Sequence, residues 1–464
     1  MWTNHIRVFF VRMLILYQNV RQKVNSYPQV KNMLKYKDIM DNKITKIIAE
    51  EIKDSRGNPT IKVTVFTCPP LGGANDKFDS FSVPSGASTG TSEAHELRDS
   101  DGKGVRKAIE NVNNIIAPAL VGQNVLNQEE IDRIMIKLDG TKNKDNLGGN
   151  AIIGVSIACA KVGAKVSSLE TFEYLRELKE IKPSRKVPYL YMNLLEGGKH
   201  TGNILAFQEY HVVPDIDYVN EAVEIGIKIQ NSLKEMIMKE LGEGSVVLGD
   251  EGGFAPKISD IRKPLEYLSR AIKENGLKGK VRLALDVAAS SFYENPARDA
   301  SSKADAGGGL YEVDGKGITK EELMKVYSDL IVEFDLFSIE DPFDEEDFGS
   351  FRKLKENNKS LLVVGDDLTV TNSLLLEKAI GEKSINAMII KPNQIGTLTE
   401  TLETMKLARE NDIELIVSHR GEETNDDFIA DLAYAFGCFG LKSGAPSKPE
   451  RKVKYDRLIK ISEK

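Results

Sequence analysis

From Leu336 onward, short apolar runs recur at intervals of about 25 residues, and each ends in a charged or polar side chain. Leu336-Phe337-Ser338-Ile339 leads to Glu340, the run 361–365 to Asp366, and Ala387-Met388-Ile389-Ile390 to Lys391. Leu415-Ile416-Val417-Ser418 leads to His419 and Arg420, and Cys438-Phe439-Gly440-Leu441 to Lys442. An earlier run, Leu283-Ala284-Leu285, ends in Asp286, and helix-like segments such as 373–380 and 398–411 fill the gaps. A strand and a helix repeating at this period specify an α/β fold whose parallel strands close into a (β/α)8-like barrel. Functional groups in such barrels gather at the strand C-termini, where every one of these polar residues falls. The sequence therefore predicts a barrel with one charged ring at its mouth.

The first part of the chain follows a different rhythm. Ile61 to Phe66 alternates apolar and polar residues, 81–84 is a second short strand candidate, and 104–117 and 149–166 have helical character. These features predict a smaller N-terminal α+β lid domain over residues 40–183. The charged stretch 180–188, with two prolines, marks its end, and the barrel domain is placed at 187–464. Residues 1–39 carry Arg7, Arg12, Arg21, Lys23, Lys31, Lys35 and Lys37 but a single acid, Asp38. That segment is expected to be an extension ahead of a start at Met40, disordered or transit-like.

Composition narrows the chemistry. With 63 Lys+Arg against 70 Asp+Glu the net charge is −7, so nothing draws the chain to nucleic acid, and an anionic ligand needs a local basic site. Three cysteines without CxxC spacing and five histidines argue against a disulfide framework, a thiolate zinc site and a multi-histidine centre. A cytoplasmic location is expected, and no membrane span, because no apolar run approaches about 18 residues.

Three carboxylates from adjacent strands (Asp286, Glu340 and Asp366) would repel one another in a low-dielectric pocket unless a cation joined them. An all-oxygen donor set selects a hard ion, Mg²⁺ being the natural candidate. A lysine beside that ion and a second ammonium should have its charged form disfavoured, which would suit Lys391 to act as a base. Abstraction of a proton next to a carboxylate builds negative charge that metal ions stabilise. Gly249-Asp250-Glu251-Gly252-Gly253 presents acids on a backbone able to approach a ligand closely. Ser85-Gly86-Ala87-Ser88-Thr89-Gly90 suits a closing loop and lacks the GxxxxGK pattern of a P-loop.

Taken together, these motifs resemble the enolase family. The match runs from Met40 to the C-terminus through 55–60 (Ser-Arg-Gly-Asn-Pro-Thr), 85–90, 138–141, 249–253, 338–343, 366–372, 393–397 and 418–420. The resemblance implies reversible dehydration of 2-phospho-D-glycerate to phosphoenolpyruvate in glycolysis, with two Mg²⁺ per active site. Asp286, Glu340 and Asp366 would hold the first ion, and Ser88 a second that arrives with substrate. Lys391 would take the C2 proton, and Glu251 with Glu209 would protonate the departing C3 hydroxyl. Lys442 would pair with the substrate carboxylate, Arg420 would bind the phosphate, and His200 and His419 would line the site. A homodimer or larger homo-oligomer is implied by the family alone.

The chain also departs from the family pattern. Gly421 stands where a serine usually contacts phosphate, Glu422 adds a negative charge beside it, and Glu196 stands where many members carry Asn. A glycine- and alanine-rich insertion occupies 295–310. Gly421 and Glu422 motivate one rival reading, a catalytically weakened scaffold with surface association; an acid-sugar dehydratase of the wider superfamily is a second. The Ser88 loop and the position of Lys391 argue against the second.

Overall fold

The computed structural model describes residues 42–68, 77–86, 92–198, 204–294 and 309–464. The N-terminal extension, Ser88, His200 and positions 295–308 of the insertion lie outside the described residues.

Strands β1 (Ile44–Lys53), β2 (Pro59–Thr67) and β3 (Lys77–Ser82) form an antiparallel meander. The alternation in β2 puts Ile61, Val63 and Val65 on one buried face. The helix Gly149–Ser167 covers that face, and its small residues allow a close approach. A methyl group on Gly154 would stand 2.7 Å from Val63 Cγ2. This helix alone, among the described residues, is long and apolar enough to cross a membrane. Of its most apolar window, 83% is buried in the protein, so its hydrophobicity serves the core.

The second unit is a closed eight-stranded barrel. Its strands are β4 (Tyr189–Glu196), β5 (Glu209–Pro214), β6 (Val281–Asp286), β10 (Leu336–Glu340), β11 (Leu362–Gly365), β12 (Ala387–Ile390), β13 (Glu414–Ser418) and β14 (Gly440–Lys442). A small side sheet, β7 (Tyr293–Glu294), β8 (Leu310–Val313) and β9 (Lys316–Ile318), intervenes after β6. Strands β6 and β10–β14 pair in parallel, as the repeat predicts. Strand β5 does not: it runs antiparallel to both β4 and β6, pairing directly with the strand that precedes it in sequence. Ala284, Val364 and Ile389 stand two residues before Asp286, Asp366 and Lys391, and so face the same side of their strands. With Tyr191, Val213, Ala387 and Ile416 they form a separate apolar cluster beneath the site.

The meander domain is joined to the barrel by hydrogen bonds near the mouth. The Ser55 amide donates to Glu423 O at 2.8 Å, and Ser85 and Glu422 exchange backbone bonds at 2.8 and 3.0 Å. Asn393 Nδ2 donates to Pro84 O at 2.7 Å, and the Ala94 amide to Gln394 O at 2.7 Å. Loops of the first domain therefore sit against those that follow β12 and β13.

Candidate active site

The barrel register gathers the polar strand ends. Glu340 lies opposite Asp286 across β10 and β6, and Asp286 lies opposite Glu209 across β6 and β5. Glu209 is the first residue of its strand, yet the reversed direction of β5 brings it to the mouth where its neighbours end. Asp286, Asp366, Lys391, Lys442, Glu209, Glu251, His419, Arg420 and Gly421 line one cavity. Glu340 reaches the same cluster through Lys442.

Lys442 is the hub. Its Nζ donates to Asp286 Oδ2 at 2.7 Å and to both oxygens of Glu340 at 3.0 Å, and stands 3.3 Å from Glu209 Oε2. Burial works against its charge, but the surrounding carboxylates outweigh it and hold the ammonium well above its ordinary value. Burial likewise opposes Asp286, yet Lys442 holds that carboxyl at about 2. One ammonium cannot neutralise three acids. Burial and then Asp286 push Glu340 well above the carboxylate range, and burial and then Glu251 do the same to Glu209.

A second acidic group adjoins this one. Asp341, Asp366 and Asp367 offer carboxylate oxygens within 4.8 Å of one another. Asp341, at φ +42°, accepts the Asp366 amide at 2.9 Å and the Asp367 amide at 2.7 Å, which fixes the turn after β11. Burial and Asp366 push Asp367 up to about 7. An oxygen-only, self-repelling set of this kind suits a hard divalent cation; of the acids expected from the sequence, Asp366 belongs to it, Asp286 lines the same cavity and Glu340 is bonded to Lys442. Asp341 and Asp367 were not assigned a role from the sequence, although both stand inside motifs quoted there.

Lys391 Nζ pairs with Asp366 Oδ2, while Gln394 Nε2 donates to Asp366 Oδ1 at 3.0 Å. The lowered lysine pKa expected from the sequence is the value beside a bound cation, and the protein side chains alone act the other way. Burial does pull Lys391 down, but the Asp366 carboxylate outweighs burial, Arg420 and Lys442, and leaves the group above its ordinary value. Arg420 Nη2 donates to Glu93 Oε2 at 2.9 Å, both side chains being buried. The sequence offered no signal for Glu93 beyond its closeness to the 85–90 loop.

Glu251 Oε2 accepts from Asn193 Nδ2 at 3.1 Å and lies 3.3 Å from His419 Nε2. Burial pulls His419 down to about 4, so it is a neutral imidazole near pH 7. Its Nδ1 meets Arg451, which also donates to Arg420 O and Gly421 O at 2.7 Å and so buttresses the loop after β13. His211 Nε2 lies 2.9 Å from Glu209 Oε2, a neighbour that sequence reasoning missed.

Two of the departures noted in the sequence resolve differently. Gly421 lines the cavity, as expected of a position that faces the ligand. Glu422 turns away to Arg56 Nη1 at 3.0 Å and Asn58 Nδ2 at 3.3 Å, so its charge is answered outside the pocket.

Comparison with known proteins agrees with this geometry. The family model described as "Enolase, N-terminal domain" matches residues 44–175, and "Enolase, C-terminal TIM barrel domain" matches 184–464. Relatives named Enolase include those of Methanocaldococcus jannaschii, 44% identical over 90% of this chain and 95% of its own, and Methanopyrus kandleri, 44% over 91% and 96%. A third, from Thermococcus kodakarensis, is 43% identical over 90% of this chain and 94% of its own. With a ring of acids and lysines at the barrel mouth, both family models and full-length relatives, the chain belongs to the enolase family.

Proposed function

We propose that the chain is a phosphopyruvate hydratase, a lyase that reversibly dehydrates 2-phospho-D-glycerate to phosphoenolpyruvate in glycolysis. In this reading Lys391 is the base for the C2 proton and Glu251, with Glu209, the acid for the C3 hydroxyl. The observation that carries it is the ring order. Lys391 follows β12 and Glu209 opens β5, four strands away in a ring of eight, and both line one cavity with Glu251. A base and an acid on opposite walls match a reaction that removes a proton from one face and a hydroxyl from the other.

Asp286, Glu340 and Asp366 would hold a first Mg²⁺, with Asp341 and Asp367 beside them, and Ser88 a second. When bound, the cation offsets the acids, relieves Lys391 of the Asp366 field and stabilises charge building on the substrate carboxylate. Lys442 would pair with that carboxylate, and Arg420, with its planar fork, would take the phosphate. His419 would keep the Glu251 carboxyl in place, and His200 with it would line the site. The domain division at 40–183 and 187–464, a homodimeric or larger assembly and a cytoplasmic setting belong to the same reading.

The test is direct. Purified protein with Mg²⁺ and 2-phosphoglycerate should show the ultraviolet absorbance rise of phosphoenolpyruvate, and a chelator should abolish it. No turnover at millimolar substrate would sink the proposal, and turnover only of a non-phosphorylated acid would point to a different dehydratase.

A further inference from the structure

The Gly249–Gly253 loop, which carries Glu251, is folded around the carboxyl group of Glu196. This residue ends β4 and is wholly buried. Its Oε1 accepts the Gly253 amide at 2.6 Å, and its Oε2 accepts the Glu251 amide at 3.3 Å. The backbone reinforces the contact, since the Glu196 amide donates to Phe254 O at 2.8 Å and the Phe254 amide to Leu194 O at 2.9 Å. The loop is shaped closely to the end of β4 and to this side chain. A methyl on Gly249 would stand 2.0 Å from Glu196 Oε2, and one on Gly253 would stand 3.0 Å from Oε1. Neither glycine has a positive φ, so neither is needed for a turn: Gly249 makes room for the carboxyl, and Gly253 for the carboxyl and for the Asn193 carbonyl oxygen, 2.9 Å from where its methyl would be.

Strand β4 thus holds Glu251 twice. Asn193 grips its side chain at 3.1 Å, and Glu196 grips its backbone. We propose that Glu196 is a positioning residue that fixes the loop where the Glu251 carboxyl reaches the leaving C3 hydroxyl. The inference rests on the function proposed above, in which two steps are separable. In the first, the C2–H bond breaks, the proton passes to a neutral Lys391 and the electron pair is left on C2 and the adjoining carboxylate. In the second, that pair forms the C2=C3 double bond as the C3–O bond breaks, and a protonated Glu251 gives its proton to the hydroxyl, which leaves as water. Lys391 is held instead by Asp366 at the end of β12, so loosening the loop should spare the first step and impede the second.

Glu196→Ala and Glu196→Gln are compared with the native protein by two readouts: formation of phosphoenolpyruvate, and exchange of the C2 proton of 2-phosphoglycerate with deuterated water followed by NMR. Gln keeps the volume and so guards against misfolding, but turns an NH₂ toward one of the two amides. Expected is a fall in dehydration kcat of about 100-fold for Ala and about tenfold for Gln. KM and the exchange rate should stay within about threefold of native. Gly249→Ala should reproduce the loss, and should cost nothing further in the Glu196→Ala background, where the obstructing carboxyl is gone. Exchange and dehydration falling together, dehydration unchanged, or a Gly249→Ala cost that simply adds would each overturn the proposal. A native protein that catalyses neither step overturns the functional reading itself, and this inference with it.

Discussion

The Arg420 guanidinium and the Glu93 carboxylate form a buried pair, Nη2 to Oε2 at 2.9 Å, between the loop after β13 and the first domain. The group assigned to the substrate phosphate is thus already paired with an anion of the chain. Glu93→Gln should leave Arg420 under-compensated in a dry setting and lower stability by about 2 kcal/mol. An anion that takes the place of the carboxylate should recover part of that loss. Inorganic phosphate should therefore raise the thermal midpoint more in Glu93→Gln than in the native protein. Equal shifts in the two would refute the competition.

Glu422 and Gly421 are neighbours with opposite expected effects. Because Glu422 is paired with Arg56 and Asn58, Glu422→Ala should leave KM for 2-phosphoglycerate nearly unchanged and cost about 1 kcal/mol of stability or less, reduced further by salt. Gly421→Ser adds a hydroxyl on the cavity wall, and one hydrogen bond to a charged ligand is worth about 1.5–3 kcal/mol. KM should fall about tenfold or more. Steady-state kinetics on both variants checks the pair, and a large KM change for Glu422→Ala would mean that its charge does reach the substrate.

How much of this was legible follows from geometry. Lys391 and Asp366 could be read directly, since each is the first polar residue after an unbroken apolar run and the barrel puts such residues at its mouth. Glu209 could not be read that way. It begins its strand, and only the reversal of β5 brings it beside Asp286, so its place came from family resemblance alone. The direction of Glu422 was equally hidden, because its partner Arg56 lies 366 positions away on another domain. The pairing of Lys391 was hidden for a related reason. The sequence shows which charges share a ring but not which carboxylate each ammonium touches, and contact with Asp366 outweighs the rest.

Removal of the divalent ion should be visible without any turnover. Asp286 and Glu340 share a single ammonium, so a cation that joins the cluster should stabilise the fold by mass action, about 2.7 kcal/mol at a hundredfold excess over Kd. Adding Mg²⁺ to chelator-treated protein should raise the midpoint of urea denaturation, and Glu340→Gln should remove most of that increment. A native midpoint indifferent to Mg²⁺ would contradict the assignment of these acids.

Asp139, in the first domain, should govern acid stability. It is buried and accepts the Leu147 amide at 2.7 Å, the Thr141 amide at 3.0 Å and the Asn146 amide at 3.1 Å, together with the Thr141 hydroxyl. Burial opposes its charge, but these donors outweigh burial and hold the carboxyl below its ordinary value. A carboxyl depressed in the folded state contributes stability that is present above its unfolded pKa, near 4, and is lost as pH falls through the folded value. Asp139→Asn should therefore cost about 2 kcal/mol at pH 7, where a charged acceptor is replaced by a neutral one that cannot serve all four donors. The gap between variant and native protein should narrow steadily below about pH 4, because the native side chain is then losing the same charge. Urea denaturation across that range measures it, and a gap independent of pH would show that the loop is held by its shape and not by the charge of Asp139.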